Sequence, residues 1–99
     1  MPSTYAHRRF GANVLDHLPG GLGEEIRRNR ELYDIGLHGP DLLFYYHAAS
    51  SNPVNRLGNA MHEKPGADFF GPARSRIAEA KDREAALVYV LGFICHFAL

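Results

Sequence analysis

At 99 residues the chain has the length of one domain around one core, and its 45% hydrophobic and 22% charged residues exclude a disordered or fibrous protein. Eleven basic residues cancel eleven acidic ones. Basic density is confined to His7, Arg8, Arg9 and to Arg27, Arg28, Arg30, which argues against a stable nucleic-acid partner. The single cysteine, Cys95, excludes an internal disulfide scaffold, and its apolar neighbours mark it as a small buried hydrophobe.

The first ten residues are polar and mixed, unlike a secretory leader, so the chain reads as cytoplasmic. Ser3 or Thr4 caps a first helix to about Leu18, with Tyr5, Phe10, Val14 and Leu18 near helical spacing and Pro19, Gly20 and Gly21 as its stop. His7 lies one turn in, on the side of Phe10, Gly11 and Val14. A charged helix follows from Gly23 to about Tyr33, with Glu24 and Glu25 ahead of Arg27, Arg28 and Arg30, and Ile26 and Tyr33 as its apolar seam. The stretch Asp34 to Pro40 punctuates the chain with two glycines and a proline, and Asp41 then heads an apolar segment. After a Ser/Asn/Pro loop, Asn52 caps a helix from Pro53 to about Glu63. Asp68 to Ala80 is amphipathic, and a last helix begins at Asp82. Its apolar run to Leu99 is shorter than the roughly 20 residues of a membrane span and contains His96, so it reads as a core helix. Five or six helices without a period-2 pattern make the expected class all-α.

The chain holds six histidines: His7, His17, His38, His47, His62 and His96. Three of them, His7, His62 and His96, fall on expected helices near apolar neighbours, and Asp41 follows a turn that could fix its carboxylate. Imidazoles with a carboxylate are the ligand set of hydrolytic zinc sites. Spacing alone also allows His96 to be a core histidine donating one bond to a backbone carbonyl. Gly92, one turn before it, leaves room beneath the ring for a metal or a second helix. His17 reads as solvated at a helix end, His38 as structural or lining a cleft, and His47 as solvent-facing. Phe44, Tyr45, Tyr46, Phe69 and Phe70 read as core, with the alternative that some rings meet acyl chains.

His38-Gly39-Pro40-Asp41 with the preceding Asp34-Ile35-Gly36-Leu37, the His62 helix, and Leu91 to Leu99 (LGFICHFAL) resemble the bacterial zinc-dependent phospholipase C family, in the same order and over nearly the whole chain. The resemblance implies an all-helical fold of the phospholipase C/P1 nuclease type, with residues 1–99 as the N-terminal portion of its domain. It implies zinc as cofactor, His7, Asp41, His62 and His96 as metal ligands, and Asp41 as the catalytic base. His96 would open a His-x-x-x-Asp pair whose aspartate, like the family's later His and Glu ligands, is not in this sequence. Nor is the N-terminal tryptophan with which secreted members bind a zinc.

The function so implied is phosphodiester hydrolysis releasing a phospholipid headgroup, with a phospholipid or other phosphodiester as partner. The portion given is expected to be inactive alone and to self-associate through an exposed apolar C-terminal end. The alternatives are a P1-like single-strand nuclease and a non-catalytic helical module that binds metal or a partner.

Overall fold

The structure, a computed structural model, describes residues 3–44 and 52–99. The readings for Tyr45, Tyr46 and His47 lie outside the described residues, as does that for the side chain of Phe44. Helices α1 (Thr4–His17), α2 (Gly20–Arg28), α3 (Arg30–Leu37), α4 (Pro53–Glu63), α5 (Ala67–Glu79) and α6 (Arg83–Ala98) are joined by a 3-10 segment, Gly39–Phe44. Among the described residues there is no strand, and no helix is long and apolar enough to cross a membrane.

Three helix starts follow from capping chemistry. Ser3 Oγ accepts from the Ala6 amide at 3.1 Å, Asn52 Oδ1 from Asn55 at 2.9 Å with Pro53 at the first position, and Asp82 Oδ1 from Ala85 at 3.0 Å. Each satisfies an amide that the helix leaves without a partner.

The middle of the chain departs from its sequence reading. Helix α1 ends at His17, just before Pro19, as expected, but Gly20 and Gly21 then begin α2, with Gly20 at φ +29°. The charged helix is two helices, broken at Asn29, where the backbone turns to φ −125° and ψ 38°. The Asn29 Nδ2 group donates to the Glu25 carbonyl at 3.1 Å and to Glu84 Oε2 at 2.9 Å, and Arg28 pairs with Glu84 as well, so the break is tied to α6. The expected punctuation at Asp34–Leu37 is instead the last turn of α3.

Gly36 explains that difference. A Cβ there would meet the Tyr89 carbonyl and lie 3.1 Å from Gly92 Cα, and a Cβ on Gly92 would meet the Tyr33 carbonyl and lie 3.1 Å from Gly36 Cα. The paired glycines let the α3 and α6 backbones touch, so Gly36 serves packing, not a turn. Around this crossing Leu15, Ile26, Tyr33, Leu37, Val88 and Cys95 form the core, drawn from α1, α2, α3 and α6. The Tyr33 hydroxyl, fully buried, donates to the Gly11 carbonyl at 2.7 Å and lies 3.5 Å from Cys95 Sγ.

Helix α5 buries no residue completely. It rests on α6 through its rings, with Phe69 stacked on Phe93 at 4.1 Å between centroids and Phe70 edge-on to Phe97 at 5.8 Å. Of the aromatic side chains read as core, Phe69 and Phe70 are thus half-buried.

Candidate metal centre

Three elements bring a polar side chain each to one spot, His7 from α1, Asp41 from the 3-10 segment and His96 from α6, and His62 from α4 approaches it through Asp41. His7 reaches it because α1 packs on α3 and α6 with that face inward, leaving the residue 3% exposed. His96 lies one turn beyond the glycine crossing and is 5% exposed. Gly39 opens the space for its ring. The glycine adopts φ +53°, and a Cβ there would sit 2.5 Å from the imidazole, so both the turn and the site require glycine. Asp41 is placed by a backbone bond from its amide to the His38 carbonyl at 3.0 Å, and α4 is tied to this segment by Asn55 Nδ2 donating to the Leu43 carbonyl at 2.8 Å.

The hydrogen bonds settle which nitrogen of each ring faces the centre. His96 Nδ1 lies 3.0 Å from the Leu37 carbonyl and His62 Nδ1 lies 2.7 Å from the Gly58 carbonyl. A carbonyl only accepts, so both Nδ1 atoms carry hydrogen, and in the neutral rings Nε2 holds the lone pair. Those Nε2 atoms converge on Asp41 Oδ1, His62 at 2.7 Å and His96 at 4.0 Å. A backbone carbonyl orienting a histidine from behind is the usual support for a metal-bound imidazole.

His7 supplies the other decisive feature. Its ring stacks on His96 with centroids 4.0 Å apart and an interplanar angle of 18°, and both its nitrogens are buried without a hydrogen-bond partner. A buried imidazole that makes no hydrogen bond is costly unless another ligand completes it. Nδ1 of His38 is likewise buried with no hydrogen-bond partner.

Electrostatics favour neutral rings. Burial pushes the His7 pKa below its ordinary 6.5, helped by the neighbouring His96 and opposed by Asp41. Burial likewise lowers His96, against the raising effects of the Leu37 carbonyl and of Asp41. A neutral imidazole is the form that binds a cation.

Ligand atoms of His7, Asp41 and His96 all lie within 4.8 Å of one another. Donors about 2.0–2.1 Å from a tetrahedral ion are about 3.3 Å apart, so shifts of about 1.5 Å or less close the set on one ion. No family model, no curated protein and no solved structure matches this chain.

The remaining histidine readings are mixed. His17 is exposed, its Nδ1 2.8 Å from the Asn13 carbonyl at the end of α1. His38 lines a recess with Thr4, Arg8, Asp34 and Leu37. The Leu37 and Gly58 carbonyls, which orient the rings, carry no signal in sequence because any residue supplies a carbonyl.

Proposed function

We propose that this chain builds the zinc-binding core of a phosphodiesterase of the phospholipase C type. The observation that carries the reading is the group His7, Asp41 and His96, whose ligand atoms lie within 4.8 Å of one another while both His7 nitrogens are buried without a hydrogen-bond partner. Three imidazoles and one carboxylate, with water completing the sphere, are a donor set that suits zinc over calcium or magnesium.

When bound, zinc supplies Lewis acidity for a phosphoryl oxygen and acidifies a water toward about pH 7. The protein's share is orientation and proton transfer. His7 and His96 keep the floor of the site dry, which strengthens each charge interaction there. Asp41 would face the ion through Oδ1, beside His62 Nε2, leaving its second carboxylate oxygen to accept a proton from the attacking water. The substrate in this reading is a phospholipid or related phosphodiester, and self-association through exposed apolar residues such as Ile94 and Leu99 accompanies it.

The test is zinc-dependent hydrolysis of p-nitrophenylphosphorylcholine by the protein with every residue its gene encodes. Release of p-nitrophenol that is lost in Asp41→Asn is expected, whereas activity surviving Asp41→Asn or chelation contradicts the reading. A helical module that holds one metal without catalysis is the second reading, favoured because these four side chains already suffice for a single ion.

A further inference from the structure

A cleft between α1 and α3, separate from the histidine cluster, gathers three guanidinium groups. Tyr5, Arg8, Arg9, Ala12 and Arg30 line a space of about 310 Å³. Its charges are poorly compensated. Among the described residues neither Arg8 nor Arg9 pairs with a carboxylate, and Arg30 meets a single one, Asp34 Oδ1 at 3.0 Å from its Nε. The chain as a whole is neutral, so three arginines against one aspartate is a local concentration of positive charge.

The polar groups are also oriented. Arg9 Nη1 donates to the Tyr5 hydroxyl at 3.1 Å, which uses that oxygen as an acceptor and leaves its proton to donate. Tyr5 is 69% exposed, so the hydroxyl is accessible from solvent. A ligand here would meet guanidinium and hydroxyl donors with hardly an acceptor among them. Guanidinium forks match the oxygens of a phosphate in pairs, and three of them suit a group that presents several oxygens at once.

We propose that this cleft binds a phosphate group, carried by a lipid headgroup or by a free phosphate compound. It needs no metal and stands whether or not the histidine cluster holds one. Arg8 and Arg9 bring the charge from α1, Arg30 closes the cleft from α3, and Tyr5 adds a neutral donor at its rim.

The experiment uses the chelator-treated chain, so the metal reading cannot affect its outcome. Inorganic phosphate is titrated by calorimetry, and sedimentation with phosphatidylcholine vesicles is compared with and without phosphatidic acid. Saturable binding of inorganic phosphate or of the phosphatidic acid vesicles is expected, the first alone pointing to a free compound and the second alone to a lipid. Arg8→Gln and Arg9→Gln should each weaken binding about fivefold, the effect of one surface cation at an anionic interface, while Arg74→Gln on α5 should not. Arg8→Lys, which keeps the charge and loses the fork, should weaken binding less than Arg8→Gln does, and circular dichroism should find every variant folded, as expected for exposed side chains. Absence of binding to both probes, equal loss in Arg74→Gln, or tighter Arg8-dependent binding to single-stranded DNA would overturn the proposal.

Discussion

Replacing Gly92 by alanine should destabilise the protein by about 2 kcal/mol, although alanine is the better helix former. The new Cβ would lie 3.1 Å from both Cα and the carbonyl carbon of Gly36, and closer still to the Tyr33 carbonyl oxygen. Ordinary contacts need about 3.5 Å, so α3 and α6 would have to part by about 1 Å. All three obstructing atoms are backbone, with no rotamer to yield, which places the cost near the upper end of the usual overpacking range, about 3 kcal/mol. Helix propensity returns about 1 kcal/mol. A net loss of about 2 kcal/mol corresponds to a fall in Tm of roughly 8–16 °C for a domain of this size. Thermal unfolding followed by circular dichroism, with the metal-free protein as reference, measures it. A Tm that is unchanged or raised would refute the close crossing, because only the propensity gain would then be felt.

Tyr33→Phe leaves the buried Gly11 carbonyl without its side-chain donor and should cost about 1 kcal/mol in urea unfolding; no change would mean the hydroxyl bond adds nothing. Asp82→Ala removes the cap from Ala85 and should cost about 1 kcal/mol, with fraying at the start of α6 visible in amide exchange. His7 and His96 both have pKa values lowered by burial, with Asp41, His62 and His38 around them, so below the ordinary 6.5 the unfolded chain binds more protons than the native one. Metal-free stability should therefore fall as pH drops from about 7.5 through 6.5 and level off below the lowered native values; a flat profile across that window would contradict burial of neutral rings.

Much of the fold was legible because its signals are local. Ser3, Asn52 with Pro53, and Asp82 cap where their side chains reach amides three residues on, a relation contained within one turn. The break at Asn29 and the helical state of Asp34 to Leu37 are not legible for the opposite reason. Gly36 looks like punctuation, yet its partner Gly92 lies 56 positions later, and only their contact explains why α3 continues through it. The space that Gly92 leaves below His96 goes to that second helix. At the site, residue types pointed to imidazole and carboxylate chemistry, and the four side chains do meet. Which ring nitrogen faces inward depends on the Leu37 and Gly58 carbonyls, and backbone groups leave no mark in a sequence. The arginine cleft was equally hidden, since Arg8 and Arg9 join Arg30 only when α1 lies against α3.

Calorimetric titration of the metal-free chain with zinc at neutral pH, repeated on His96→Ala, Asp41→Asn and His17→Ala, tests the central claim most directly. The account predicts about one zinc bound, with affinity falling by more than about 100-fold in His96→Ala and in Asp41→Asn, beyond the 10- to 100-fold that loss of a supporting group costs, and no change in His17→Ala. Undiminished binding in the first two variants with loss in His17→Ala would assign the metal to the surface and contradict a site at His7, Asp41, His62 and His96.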